Sequence, residues 1–513
     1  MIADTPFRLH PVIVVALAAG FALALHEASH LEFRWFAVIV IAVALVSTAM
    51  VFAAVFSQFL LIALIFALPF ASLVKWIWTG KYSGEDLGGI VYGGTLGIGI
   101  IDLLLAGLYT TWLWRLLVTR NGVVPRVEPL DVWIVLFFLA HVISAFAAYD
   151  PVLSLFSAQY FGKYALFYLY VSRHLERRYL GWLVAAFCLT VLLQGALGVF
   201  QFTTGQLVGV ALDKGAGGDQ INSQYVVPGI EQSSRATGTT YDSHAFGDLM
   251  GMLLPFALVF LLKPGRYRAF WIVFVLATMI ALIGVFISLS RAAWLATLIA
   301  LAFGALIMIV RWREADVVQR LVFCALAALP AVVVVAGFIY ARFENSPVET
   351  VTVRFDSYMI ALEIFGANPF IGIGAANYML ALDRYSHNWS EQIIVHNQPL
   401  LFAVEMGIVG LVCYIGLVWC TFSRFHRLSA SPIEIVRRLA VAGQMALVLN
   451  TIDWMISPLM REPTCWTMLW LLISLAFALT VIAREGEPAP YGAQRAGDVP
   501  SRIDSAALQG HTA

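Results

Sequence analysis

The chain has 513 residues, 61% of them hydrophobic and 12% charged, and its 31 basic and 31 acidic side chains cancel to a net charge of zero. A mean hydropathy of +0.85 excludes a soluble globule, because water would face too much apolar surface. Zero net charge also leaves no electrostatic footprint for nucleic acid.

The expected fold class is all-α, a polytopic integral membrane protein in contact with membrane lipids. Apolar runs near the length that crosses ~30 Å of hydrocarbon as helix recur from residue 10 to residue 483. The alternating pattern of an outer-membrane barrel is absent, so helices must satisfy the backbone. In chain order, about fourteen runs qualify by length. They cover residues 10–27, 35–54, 57–76, 92–115, 129–149, 153–172, 179–203, 245–262, 269–288, 291–311, 318–341, 397–422, 438–456 and 463–483. Only Phe56-Ser57-Gln58 marks a turn inside the apolar stretch 33–78. The first run lacks a small-residue cleavage site and reads as a retained anchor helix rather than a removed signal peptide. The tail 484–513, rich in Pro, Gly and Ala, has little to bury and is expected to be disordered.

Orientation follows from lysine and arginine in the short connections. Clusters occur at Arg115, Arg120 and Arg126; at Arg173, Arg177 and Arg178; at Lys263, Arg266 and Arg268; at Arg311, Arg313 and Arg320; and at Arg424, Arg427, Arg437 and Arg438. These alternate with basic-poor connections, which predicts cytoplasmic termini. The long polar loops 204–244 and 342–396 then fall on the opposite side. All five cysteines lie within or beside apolar runs, so neither a disulfide framework nor a metal site is expected. Nor is there a Walker A loop, a dinucleotide fingerprint, a zinc-binding helix or a DxD pair. No cofactor is implied.

Polar chemistry concentrates on the outer side. Arg235 lies in SRATGTTYDSHAFG, Arg291 in SLSRAAWL, and Arg354 opens a helix with an apolar stripe of Phe355, Met359 and Leu362. Three guanidiniums reaching one pocket suit a diphosphate, since their forks match phosphate oxygens. Singly, an arginine at a membrane boundary serves more often as an anchor for lipid headgroups. His396 precedes Asn397 and the run QPLLFAVEMGIVG, where it can act as a base or simply hydrogen-bond at a helix start capped by Asn397. His387 reads as a solvated loop residue. Lys163, Glu405, Asp102 and Asp453 lie in or near apolar runs and need partners. An internal ion pair or hydrogen-bond network is the simpler reading for Asp102 and Asp453, whereas Lys163 and Glu405 can serve either structure or site.

The order SRATGT, SLSRAAW, R-x3-Y with ANPFIGIGAANY, then HNQPLLFAVEMGIVGLVCYIG resembles the O-antigen ligase and O-antigen polymerase superfamily, clearest from Arg235 to Phe422. The resemblance implies a GT-C-like, inverting, metal-independent glycosyltransferase of the bacterial inner membrane. In such enzymes a glycan leaves undecaprenyl diphosphate for an acceptor on the periplasmic face. It assigns the diphosphate to Arg235, Arg291 and Arg354 and the base to His396, with Lys163, Glu405 and Asn397 as possible supports. Residues 1–200 would be N-terminal transmembrane helices, 201–483 the catalytic membrane domain and 484–513 a cytoplasmic tail. After RATGT the chain reads YDSHAFG, where relatives commonly carry a proline and an asparagine, so Asp242 and His244 are not carried over as site residues. Three readings follow: a polymerase joining lipid-linked repeats, a ligase moving finished glycan to lipid A core, or a solute transporter. Polysaccharide assembly proteins are possible partners. A transporter would call for paired broken helices and an internal repeat, and the sequence shows neither. Family analogy leans to a polymerase.

Reporter fusions after Gly217 and Tyr385 should read periplasmic, and fusions after Arg268 and Leu428 cytoplasmic. A cytoplasmic signal at either long loop would overturn the assignment of sides.

Overall fold

The computed structural model describes residues 53–71, 74–79, 95–117, 127–205, 235–240, 242–263, 265–312, 318–320, 337, 349–385, 394–457, 459 and 462–485. The expected span 10–27, nearly all of 35–54 and of 318–341, His387 and the tail beyond Glu485 lie outside these residues.

The described residues are helical almost throughout. Helix α1 (Ala53–Ala67) is followed by strands β1 (Val74–Thr79) and β2 (Thr95–Gly99), then by α2 (Ile100–Leu117), α3 (Pro129–Ser144), α4 (Pro151–His174) and α5 (Leu180–Thr204). Next come α6 (Ser243–Leu262), α7 (Trp271–Ile287), α8 (Arg291–Trp312), α9 (Glu349–Ala367), α10 (Tyr378–Tyr385), α11 (Gln398–Leu428), α12 (Glu434–Trp454) and α13 (Pro463–Glu485). Among the described residues, 9 helical segments are long and apolar enough to cross a membrane.

One departure from the all-α expectation lies near the start. Strands β1 and β2 pair antiparallel, with Val74 opposite Gly99 and Thr79 opposite Thr95. The runs expected as helix over 57–76 and 92–115 therefore stop at Ala67 and begin at Ile100. Val74–Thr79 is rich in Val, Ile, Trp and Thr, side chains that suit a pleated surface, and hydropathy alone does not separate such a run from helix.

Helix starts elsewhere follow local chemistry. Asp150 caps α4 ahead of Pro151, Asp242 caps α6, and Asn397 caps α11 ahead of Pro399, each side-chain oxygen accepting an early backbone N–H. Helices α6, α12 and α13 form the buried centre, where Trp454 stacks on Trp466 at 5.7 Å and Trp466 meets Trp470 edge-on at 5.8 Å.

Helix ends sort into two groups. At one end Arg173 pairs with Asp131 at 2.6 Å, Arg424 with Glu128 at 3.4 Å and Arg438 with Glu434, while Arg320 donates to the Leu262 carbonyl. Arg311 also meets His426 there, and Lys263 and Arg437 lie over Trp312. The clusters that the sequence assigns to one side thus converge through contacts. Helices α6, α8, α11 and α13 begin at the opposite end.

Helix α11 is broken. Gly407 takes φ 67° and ψ −167°, a conformation essentially confined to glycine. The chain from Asn368 to Gly374 fits into the break. Ile373 N–H donates to the Val404 carbonyl at 3.1 Å, Gly374 N–H to Glu405 at 2.9 Å, and Ile408 N–H to Pro369 at 2.8 Å. Backbone groups released by the break are therefore satisfied by NPFIGIG, which links that motif to EMGIVG. A Cβ on Gly407 would run into the Phe370 carbonyl, and one on Gly372 into the Glu405 backbone.

Gly407→Ala should lower the stability of the detergent-solubilised protein by roughly 1–3 kcal/mol or more, read as a drop in Tm. Gly366→Ala, on α9 with open space around it, should be neutral or slightly stabilising. Equal Tm values for the two variants would contradict the fit of the loop into the break.

Candidate active site

The site is built on the turn between α7 and α8. Ser288-Leu289-Ser290 reverses the chain with Leu289 at φ 54°, a left-handed conformation that costs a side-chain-bearing residue about 1–2 kcal/mol. Short bonds hold it there. Leu289 N–H donates to the Phe286 carbonyl, the Ser288 hydroxyl to Val285 at 2.7 Å, and Ser290 N–H to the Ser288 hydroxyl at 3.2 Å.

That turn receives Arg235 and His244. Arg235 Nε donates to the Ser288 carbonyl at 3.1 Å, and its Nη2 lies 3.3 Å from His244 Nε2. Meanwhile His244 Nδ1 lies 2.9 Å from the Ser290 hydroxyl oxygen. The segment that carries Arg235 is itself fixed by two glutamines two turns apart on α5. Gln201 Oε1 accepts from Thr237 N–H at 3.0 Å and Gly238 N–H at 2.8 Å, and Gln194 Oε1 accepts from Thr239 N–H at 2.9 Å. Both glutamines are buried, as are Ala236, Thr237, Thr239 and Thr240, so these bonds satisfy backbone groups that burial removes from water.

Arg354 and His396 arrive from the other side. Arg354 and Tyr358 share a face of α9 at four-residue spacing. The Tyr358 hydroxyl donates to the His396 carbonyl at 3.0 Å, while the Arg354 charge acts on the His396 ring. This gives the R-x3-Y pattern a physical meaning. Around His244 the charges of Asp242, Arg235 and Arg354 and the ring of His396 are all in electrostatic reach, so the four elements meet at one place.

The hydrogen bonds assign different states to the two histidines. A carbonyl only accepts, so His396 Nδ1, 2.9 Å from the Ile394 oxygen, carries the hydrogen and Nε2 keeps a lone pair. Burial, with Arg354 adding to it, lowers the His396 pKa from its usual 6.5 to about 4, against opposing contributions from the Ile394 bond and Asp242. His396 is thus neutral at pH 7. Helix capping belongs to Asn397, whose Oδ1 accepts from Leu400 N–H at 2.9 Å and whose Nδ2 donates to the Met455 carbonyl at 3.3 Å.

The remaining sequence candidates separate. Arg291 is half-buried and opens α8 one residue after Ser290, which puts its backbone at the turn. Lys163 pairs with Asp102 at 3.2 Å and lies over the rings of Tyr160 and Tyr164 at 5.0 and 5.1 Å, which answers the demand for a partner at both charges. Glu405 is buried beside the break, where its charge acts on Tyr378. Asp453 does not find the ion pair or hydrogen-bond network expected of it. Its carboxylate oxygens make no hydrogen bond among the described residues, and the charges acting on it are the carboxylates of Asp248 and Asp242. Among the described residues no group of three or more His, Cys, Asp or Glu could hold a metal.

The sequence carries no role over to His244 and Asp242, leaves Ser288, Ser290 and Tyr358 as members of the motifs SLSRAAW and R-x3-Y without a role of their own, and does not single out the two glutamines. Two signals were available in the chain. Serines flank a leucine in SLSR directly before a helix start, and Tyr358 follows Arg354 by one helical turn.

A folded-state pKa below the unfolded value means that the unfolded chain binds the proton first as pH falls. The stabilisation from His396 is therefore complete above pH 6.5 and is lost as pH falls toward about 4, a swing on the order of 3 kcal/mol. An NMR titration of the labelled imidazole should show a midpoint well below 6.5, and His396→Asn should flatten stability across that window. A midpoint at or above 6.5 would contradict this environment.

No curated protein matches the chain. A family model described as O-antigen ligase matches residues 276–415, which run from α7 through the Ser288–Arg291 turn, α9 and His396 into α11. Over this segment the chain is similar to the O-antigen ligase family, in line with the superfamily that its sequence motifs resemble.

Proposed function

We propose that the protein is an inner-membrane glycosyltransferase that moves a glycan from undecaprenyl diphosphate to an acceptor hydroxyl on the periplasmic face, joining lipid-linked repeats as a polymerase. The observation that carries this reading is the meeting of Arg235, Arg354 and His396 beside the Ser288–Arg291 turn. It occurs at the end opposite the arginine clusters, where α6, α8 and α11 begin. Helix N-termini and guanidiniums both favour an anion, and a diphosphate is the anion that a lipid-linked sugar presents.

The chemistry then needs few parts. An acceptor hydroxyl oxygen attacks the anomeric carbon from the face opposite the diphosphate, and the bond from that carbon to the diphosphate oxygen breaks. Its electron pair leaves with undecaprenyl diphosphate, and the hydroxyl proton passes to His396 Nε2. The anomeric configuration inverts. Arg235, Arg291 and Arg354 offset the charge that develops on the leaving group, the task that metal ions perform elsewhere. A base with a pKa near 4 is weak, yet a bound diphosphate places negative charge beside the imidazole and raises its proton affinity. Base strength thereby arrives with the donor.

The description of the matched family favours a second reading, a ligase that delivers finished glycan to lipid A core or another terminal acceptor. A transporter draws less support. Helix α11 is discontinuous, but Ile373 and Gly374 occupy the Val404 and Glu405 carbonyls that would otherwise coordinate an ion.

Arg235→Lys and Arg354→Lys keep charge and lose the fork, and each should cut glycan transfer about 10- to 100-fold with insertion intact. His396→Asn should slow transfer at least ~100-fold while donor binding persists. Wild-type rates in all three would sink the assignment. In a deletion strain, loss of long chains would favour the polymerase, and accumulated finished chains on the carrier would favour the ligase.

A further inference from the structure

We infer that His244 is a positioning residue for Arg235, a neutral imidazole whose two nitrogens tie the guanidinium to the Ser290 hydroxyl. The inference rests on Arg235 as a diphosphate ligand and deepens that reading.

The assignment follows from donor and acceptor chemistry. A guanidinium only donates, so the contact between Arg235 Nη2 and His244 Nε2 at 3.3 Å requires a lone pair on Nε2. The single hydrogen of the neutral ring then sits on Nδ1 and is donated to the Ser290 hydroxyl oxygen at 2.9 Å. His244 has no nitrogen left with which to accept a proton from substrate, in contrast to His396. Its effect must pass through Arg235.

Three independent constraints keep the ring in this orientation. Asp242 caps the first turn of α6 and accepts from His244 N–H at 3.2 Å, which fixes the backbone. Ser290 N–H bonds to the Ser288 hydroxyl, which holds the partner of Nδ1 within the strained Leu289 turn. The Ser288 carbonyl accepts from Arg235 Nε, so the guanidinium is gripped at two of its nitrogens by one four-residue turn and the imidazole seated on it. Rotation of Arg235 would break two bonds at once. A fork held in one orientation loses less freedom when it meets a diphosphate.

A double-mutant cycle in the full-length protein tests this, with KM for an undecaprenyl-diphosphate-linked donor and kcat measured separately. His244→Ala should raise donor KM roughly 10-fold with a smaller change in kcat, and His244→Gln, whose amide oxygen can accept from Arg235, should recover most of the loss. In an Arg235→Ala background, His244→Ala should add little, because its route to the donor is already gone. Ser290→Ala should shift KM in the same direction and serves as the readout if His244→Ala fails to insert. Additive effects of His244→Ala and Arg235→Ala, or a fall in kcat that Gln does not rescue, would overturn the positioning role. An unchanged donor KM in Arg235→Ala would instead sink the diphosphate reading itself.

Discussion

The break in α11 at Gly407 is the constraint on which the arrangement depends. An interrupted helix in an apolar surrounding leaves backbone carbonyls and N–H groups that must be paired, and the chain from Pro369 to Gly374 pairs them. That docking ties the exit of α9 to the interior of α11. Because Arg354 and Tyr358 lie on α9 and His396 lies just ahead of α11, the same docking brings the R-x3-Y face to the histidine. Asn377 adds a second tie. Its amide bonds Asp150 N–H at 2.7 Å and the Ser154 hydroxyl at 3.0 Å, anchoring the segment after the glycines to α4.

A second, independent device supplies the other half of the site. The Leu289 turn and the α5 glutamines hold Arg235 and His244 without reference to α11. Strain at Leu289 is offset by the serine bonds around it, and the gain is an acceptor carbonyl and a hydroxyl presented side by side. A site held by two separate sets of hydrogen bonds fits the proposed reaction, in which a lipid donor and a hydroxyl acceptor enter separately. The histidines divide the labour, one with a lone pair to use and one with both nitrogens committed.

Much of this was legible in the chain, and the reasons differ by feature. The helix capped by Asn397 begins at Gln398, within a residue of the expected start at 397, because the signal is local, whereas the helix capped by Asp150 begins at Pro151, two residues before the expected 153. The arginine clusters converge at one end as their alternation predicts. The hairpin of Val74–Thr79 with Thr95–Gly99 was hidden, since hydropathy does not distinguish a short apolar strand from helix. The break at Gly407 was equally hidden within an unbroken apolar run. His244 escaped notice because its chemistry depends on Ser290 and Arg235, which are distant in sequence and joined only by the fold. Asp453 was expected to join an ion pair or hydrogen-bond network and instead neighbours other carboxylates, a matter of packing that no pattern of spacing carries.

The central claim is that a lipid diphosphate binds at the end where α6, α8 and α11 begin. The most direct test is a structure of the full-length protein with an isoprenyl-diphosphate-linked saccharide bound. The account predicts diphosphate oxygens in hydrogen-bond contact with Arg235 and Arg354, and an anomeric carbon whose open face is turned toward His396 Nε2. A diphosphate seated at the opposite end, against Lys263, Arg437 and Arg438, would contradict it.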